Sequence, residues 1–284
     1  VVLVFVPSCG HCVPCASGRP ALCEPGAAAA AKGTLIGGAR RLRYKGEPIN
    51  HHIGVSAFST HAVVSENSCV KIDKSIPLDR AALLGCAVLT GVGAVLNSGD
   101  LKMGQSCAVI GLGGVGLAGL LGAIAAGAET VVAVDTAESK RTFAKTLGAT
   151  HIVDPTSENA VAEIKQLTGG GVDLAVELAG AAPALKFAYD ITRRGGTTVT
   201  GGLPNPKAEL NIPAVSLTVG EQTLKGSYVG SCVPVRDIPR FAAMMQSGRL
   251  PIEKLMTHTI SLDDINEGFD RLASGEAIRQ VVLF

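Results

Sequence analysis

Apolar positions follow two rhythms along this 284-residue chain, and the change of rhythm divides it. Between about residues 106 and 228, short apolar runs alternate with longer stretches of helical spacing. Residues 107–112, 130–134, 151–153, 172–176, 197–200 and 224–228 read as buried strands. An Ala/Leu-rich segment ending near residue 126, then 140–147, 161–167 and 183–193, read as helices. Alternation at this pace predicts a parallel sheet with helices on both faces, a doubly wound α/β fold. Outside that region the rhythm is lost. Residues 1–6 read as a core strand, and 57–64 and 69–72 as shorter ones. An apolar helix opens at Pro77 and Asp79, covers 80–88 and resumes over 91–96, with a polar loop at 97–105. Residues 237–247 and 263–273 look like amphipathic helices, the second capped by Ser261 or Asp263. A strand at 280–284 ends the chain, and this tail is expected to fold back onto the segment before residue 88.

The first strand of the alternating region breaks into Gly111-Leu112-Gly113-Gly114-Val115-Gly116, a G-x-G-x-x-G between strand and helix. With 35 glycines, a lone match of this kind is weak. The setting gives it meaning, because Asp135 follows at the tip of the second strand, near the roughly 20-residue spacing of a dinucleotide site. Gly111 permits the tight turn, Gly113 keeps side-chain bulk off a pyrophosphate, and Gly116 lets the helix lie close on the sheet. Gly114 and Val115 open the helix, whose free N–H groups and partial positive charge favour phosphate. Asp135 can accept hydrogen bonds from a ribose diol. The same stretch, 107–128, is uncharged and exceeds the roughly 18 residues that suggest a membrane span. Seven of its positions are glycine and it splits into strand and helix patterns, so no membrane role is expected.

Cys9, Cys12 and Cys15 lie three residues apart, and Cys23 follows. Three thiols at that spacing turn about one point and a fourth closes a tetrahedron, which suits structural zinc. Two disulfides or unpaired thiols are the alternatives; disulfides need an oxidising compartment, and no export signal is visible. His51 and His52 are adjacent and cannot share a helical face as ligands, and Arg40, Arg41, Arg43 and Lys45 read as a solvated basic loop. Lys plus Arg is 25 against 24 Asp plus Glu, which points to neither nucleic acid nor an acidic surface as partner. The chain opens mid-strand without Met or a basic leader, so a cytoplasmic protein that has lost preceding residues is expected.

Together these motifs resemble the zinc-dependent medium-chain alcohol dehydrogenases, most of all the branch with glutathione-dependent formaldehyde dehydrogenase and the liver-type enzymes. The four-cysteine segment matches that family's zinc lobe. Gly85-Cys86-Ala-Val-Leu-Thr90-Gly91 resembles its segment carrying a catalytic-zinc ligand, and Gly-Val-Ser-Ala-Phe-Ser at 54–59 is similar to its Gly-Thr-Ser-Thr-Phe-Ser. Residues 264–279 match its C-terminal helix. The resemblance implies a mostly β GroES-like catalytic domain at 1–87, incomplete and bearing the zinc lobe. It further implies a Rossmann domain at 88–229 and a return to the catalytic domain at 230–284. It assigns Cys86 to catalytic zinc, Asp135 with Lys140 to the adenosine ribose, Thr90 and Val115 to the nicotinamide, and Arg279 to the pyrophosphate. It implies hydride transfer between NAD and an alcohol, aldehyde or S-hydroxymethylglutathione-type adduct, in a homodimer or homotetramer. The family's first catalytic cysteine and Gly-His-Glu precede the zinc lobe and have no counterpart here. An inactive fragment with an exposed edge at residues 1–6 is therefore expected. A non-catalytic NAD-binding scaffold and a zinc-free quinone or enone reductase remain as alternatives.

Overall fold

A computed structural model describes all 284 residues. The chain forms two compact units: Thr90–Ser231, and Val1–Leu89 with Cys232–Phe284.

The first of these is built on a six-stranded parallel sheet. Its strands are β1 (Ser106–Ile110), β2 (Thr130–Val134), β3 (His151–Val153), β4 (Val172–Glu177), β5 (Thr192–Thr200) and β6 (Thr223–Gly226). Their order is β6-β5-β4-β1-β2-β3, so chain order reverses at β1, between β2 on one side and β4 on the other. Helices α1 (Gly114–Ala125), α2 (Glu138–Thr146), α3 (Ala160–Leu167) and α4 (Ala182–Ile191) make the crossovers. The central strands are legible as plain apolar runs because both of their faces are covered. Ile110, Val132, Val134, Val172, Ile164 and Ile191 belong to one buried cluster. The chain has no Trp and 4% aromatics, so its core is filled by short aliphatic side chains that demand close approach. Helix α1 meets that demand with every residue from Gly116 to Ala123 buried.

One continuous helical run, Leu78–Ser98, is long and apolar enough to cross a membrane, and 72% of its most apolar window is buried inside the protein. Two π-helical turns interrupt it, Leu84–Val88 and Ala94–Ser98. Each wide turn inserts one residue into the i→i+4 ladder and re-aims the side chains after it. The sequence pattern has the helix lead to Thr90 and continue over 91–96; the structure carries it on to Ser98, into the expected polar loop. Gly91 explains the tolerated glycine. A Cβ there would lie 2.1 Å from the Val115 carbonyl oxygen and 2.7 Å from the Gly119 nitrogen, so this helix and α1 touch backbone to backbone.

The other unit holds short strand pairs. Val2–Leu3 pairs antiparallel with Cys69–Val70, Val2 opposite Val70, and the Val4 N–H donates to the Ser68 carbonyl at 2.8 Å. The strand expected over residues 1–6 is thus shorter than its apolar run, and it finds a partner within the chain in place of the exposed edge. The basic loop is a hairpin, Leu42–Tyr44 against Glu47–Ile49. Residues 57–64 form no strand. Hydroxyl groups hold them instead, with Ser59 Oγ donating to Ser56 O at 3.3 Å and His61 O at 2.9 Å, a local alternative to sheet pairing. Pro234–Gln246 buries Ile238, Phe241, Ala242 and Met245, a helical stripe. The C-terminal helix, Ile265–Ala273, starts after Asp264, whose carboxylate accepts from the Ser261 hydroxyl at 2.7 Å; neither Ser261 nor Asp263 caps it. The closing strand, Gln280–Val282, runs parallel to His258–Ile260.

The Gly91 contact makes a direct prediction. Gly91→Ala forces two backbones apart and should destabilise by about 1–3 kcal/mol, the usual range for overpacking. Differential scanning calorimetry should show a lower Tm. Gly37→Ala, where a Cβ meets open space, should leave the Tm unchanged.

Candidate cofactor and metal sites

The turn from β1 to α1 has the shape its glycines foreshadow. Gly111 has φ +89°, and a Cβ there would lie 2.5 Å from the Ala179 nitrogen. A Cβ on Gly116 would lie 1.7 Å from the Gly111 carbonyl oxygen, so the first turn of α1 presses on the turn that leads into it. Gly113 differs: it is exposed, and a Cβ would meet nothing within 4 Å. No side chain caps α1, which starts at Gly114. Open space, uncapped N–H groups and a helix N-terminus form a cradle that fits a pyrophosphate. Gly114 and Val115, both half-buried, form its floor.

Asp135 is bolted to this turn. Its Oδ2 accepts from the Leu112 N–H at 2.7 Å and its Oδ1 from the Ala137 N–H at 2.9 Å. The carboxylate is fixed before any ligand arrives and keeps lone pairs for a diol. Arg141 is the basic residue tied to this corner: its Nη1 donates to the Asp135 and Thr136 carbonyls at 2.7 and 2.8 Å and pairs with Asp154 at 3.2 Å. Lys140 lies half-buried on α2 and forms no ion pair. Thr90, half-buried, is one residue from the contact between Gly91 and Val115, so the two residues assigned to the nicotinamide are neighbours.

Glu177 went unremarked in the sequence except as the end of a strand. It is 1% exposed, and its carboxylate accepts from Gly180 N at 2.6 Å and Thr200 Oγ1 at 2.7 Å. The available signal was an acid directly after the apolar run 174–176, at the carboxyl end of its strand.

In the other unit the sulfurs of Cys9, Cys12, Cys15 and Cys23 all lie within 4.8 Å of one another, and all four are free thiols, not disulfides. Tetrahedral zinc with Zn–S near 2.3 Å separates its sulfurs by about 3.8 Å. The Cys12 and Cys23 sulfurs are 3.8 Å apart. Backbone N–H groups face the cluster: Cys9 N and Gly26 N lie 3.2 and 3.3 Å from the Cys23 sulfur, and Cys12 N lies 3.3 Å from that of Cys9. The N–H of His11 above all, then that of Cys12, holds the Cys9 thiol down at about 6. Burial pushes Cys15 up to about 12 and raises Cys23. A bound divalent cation would deprotonate the whole set. Donor type, number and spacing all fit structural zinc.

Cys86 is exposed, in the first π turn. It lines a cleft of about 310 Å³ with Phe58, Leu83, Val281 and Phe284. Arg279 lines the same cleft, and its Nε is buried without a hydrogen-bond partner. Cys107 and Cys232 are buried, as small apolar residues are; Cys69 is half-buried. His51 is 3% exposed, accepts from the Arg41 N–H at 3.0 Å, and belongs to no group of three or more ligand-type side chains.

A family model described as zinc-binding dehydrogenase matches residues 114–247. An S-(hydroxymethyl)glutathione dehydrogenase from Paracoccus denitrificans is 35% identical over 293 residues, covering 100% of this chain and 78% of the relative. The chain belongs to the zinc-binding dehydrogenases. Among solved structures, benzyl alcohol dehydrogenase from Acinetobacter calcoaceticus is 32% identical with a TM-score of 0.90, covering 99% of this chain and 76% of that one. A zinc-binding dehydrogenase from Sinorhizobium meliloti 1021, bound to NADP, is 25% identical with a TM-score of 0.78, covering 98% and 74%. The family is one of oxidoreductases, and its fold is the one described above.

Two substitutions separate the sites. The purified chain should carry one zinc, and Cys12→Ser should lose most of it; metal analysis that finds equal zinc in both would rule out the four-thiol assignment. Gly113→Ala adds a methyl group to open space, so its Tm should stay within about 0.5 kcal/mol of the parent in stability terms. Its affinity for NADH should fall at least severalfold by calorimetry.

Proposed function

We propose that the reaction this chain serves is hydride transfer between an alcohol and NAD, and that these 284 residues supply its cofactor site and one ligand of its catalytic zinc. The observation that carries the reading is the Asp135 carboxylate, fixed by Leu112 N and Ala137 N beside the open cradle at Gly113. A 2′-phosphate would meet that fixed negative charge, while a 2′-hydroxyl would donate to it. Arg141 offers little compensation, because its guanidinium is spent on two carbonyls and Asp154. Lys140 accompanies the acid without pairing to it. The NADP bound by the Sinorhizobium protein marks the competing choice of cofactor.

The nicotinamide would supply hydride chemistry and a catalytic zinc Lewis acidity, were both bound. The chain's own residues bind and orient. The α1 N-terminus and Gly113 would hold the pyrophosphate, Asp135 the ribose, and Thr90 and Val115 the face of the nicotinamide. Cys86 would contribute a thiolate to catalytic zinc. Ala57, Phe58, Leu83, Val281 and Phe284 wall the cleft beside Cys86 and Arg279 lines it too, so its lining serves an apolar alcohol and a charged S-hydroxymethylglutathione-type adduct alike. The four-thiol cluster argues against a zinc-free reductase. A scaffold without catalysis shares the same cofactor site and differs only in turnover.

Catalytic zinc needs about three protein ligands and an open position. Cys86 is the one such ligand assigned within these 284 residues, so the chain by itself should bind cofactor without oxidising alcohol. NADH production from benzyl alcohol, or from formaldehyde with glutathione, should stay at background with zinc added; robust turnover would overturn the ligand assignment. For the cofactor, calorimetry should show NADH bound more tightly than NADPH, with the gap narrowed in Asp135→Gly. Equal affinities in the parent protein would remove the role given to Asp135.

A further inference from the structure

The parallel sheet of Thr90–Ser231 has two ends. The carboxyl end of β1 runs into the Gly111–Gly116 turn. The amino ends of β1, β4, β5 and β6 surround a separate cleft of about 500 Å³. That volume lies within the roughly 300–1,000 Å³ usual for small-molecule sites. Its lining is charged: Asp100, Lys102, Asp173, Arg193, Arg194 and Lys225 all contribute to it.

The register of β5 explains the adjacent arginines. Val172 pairs with Thr192 and Leu174 with Thr197, so five steps along β5 match two along β4. The excursion is Arg193-Arg194-Gly195-Gly196. Thr198 and Val199, consecutive on β5, are both buried, so this strand is covered on both faces. Successive side chains of a regular strand point to opposite faces, and a pair of arginines would then be driven into both. The bulge leaves them exposed at the end of the sheet instead, which is how bulges re-aim side chains. Gly195, at φ +73°, makes the turn. Gly196 closes it against β4, where a Cβ would lie 3.0 Å from the Asp173 carbonyl oxygen.

Both acids of the cleft are already engaged. Asp100 pairs with Lys102. Asp173 pairs with Arg193 at 2.8 Å and accepts from Ser106 N and Oγ at 2.8 and 2.7 Å. Arg194 and Lys225 pair with no carboxylate. A backbone carbonyl positions each of them: Arg194 Nη2 donates to Val219 O at 3.1 Å, and Lys225 Nζ to Ser98 O at 2.7 Å. A guanidinium carries five N–H donors and an ammonium three, so most donors of both stay unspent. Arg194 also lines an adjoining cleft of about 430 Å³, together with Lys165, another cation without an ion pair.

The geometry points to a second ligand site here: the cleft binds a small molecule bearing a phosphate monoester, with Arg194 and Lys225 as its cationic contacts. Two uncompensated cations match the roughly −1.5 to −2 charge of such a group at neutral pH. The guanidinium fork suits two phosphate oxygens at once, and the ammonium acts as a point charge beside it. The site lies at the opposite end of the sheet from the cradle at Gly113 and does not depend on the NAD reading.

Titration of the 15N-labelled chain with glycerol 3-phosphate, followed by 1H–15N NMR at about pH 7.5, tests this. Amides of residues 193–196 and 223–225 should shift saturably. Sodium chloride at matched ionic strength should not reproduce those shifts; if it does, the cations are only screened and the site is overturned. Saturable shifts confined to residues 113–116 would place the phosphate in the cofactor cradle and equally overturn it. Arg194→Gln combined with Lys225→Gln should weaken binding by about tenfold or more. Arg194→Gln alone, at an exposed position, should weaken it severalfold and keeps the test available if the double variant does not fold. Unchanged affinity in either folded variant contradicts the assignment.

Discussion

The carbonyl oxygen of Gly111 occupies the place where a Cβ on residue 116 would have to go, 1.7 Å away. Two segments in a turn of six residues are thereby pressed together until only hydrogen atoms separate them. Once they are, the N-terminus of α1 is aimed at the carboxyl end of β1, Gly113 is left facing open space, and Leu112 N falls within 2.7 Å of Asp135. The same intolerance of bulk recurs on the far side of α1, where Gly91 meets Val115 and brings Thr90 alongside. The cofactor cradle is thus a consequence of backbone contacts that glycine alone allows, within a core short of aromatic volume.

The cysteine-bearing unit works on a different principle. Its strand pairs are two or three residues long, and such pairs are marginal by themselves. Around residues 9–23 the organising force is a set of four thiols, and structural zinc supplies folding energy outright where it binds. The backbone N–H groups of Cys9, Cys12 and Gly26 already point at sulfur, which is the polarity a thiolate cluster needs. Cys86 is placed otherwise. It lies exposed in a π turn and lines a cleft with Phe58, Leu83 and Arg279.

The central strands β1 and β2 were legible because strands covered on both faces leave a plain apolar run bounded by glycine and polar residues. The four-cysteine spacing was legible because metal geometry is local in sequence. Three features were not. The helical run at 78–98 was legible up to residue 96, but its end was not: Asn97 and Ser98 read as polar loop, yet they close a π-helical turn. Residues 57–64 have strand-like residues without a partner, and pairing is a tertiary fact that no local pattern records. The contacts of Arg141 with two carbonyls and Asp154 come from the path of the chain around Asp135. The burial of Glu177 likewise depends on the loop 200–203, some two dozen residues away, closing over it.

Amide hydrogen exchange with and without NADH bears most directly on the account, because it reports where the cofactor sits without requiring turnover. The N–H groups of residues 113–116, uncapped in the free protein, should gain protection on binding, together with those of residues 178–180. The four-cysteine segment should not change. Protection elsewhere, with residues 113–116 exchanging as fast as before, would contradict a cradle built on the Gly111–Gly116 turn.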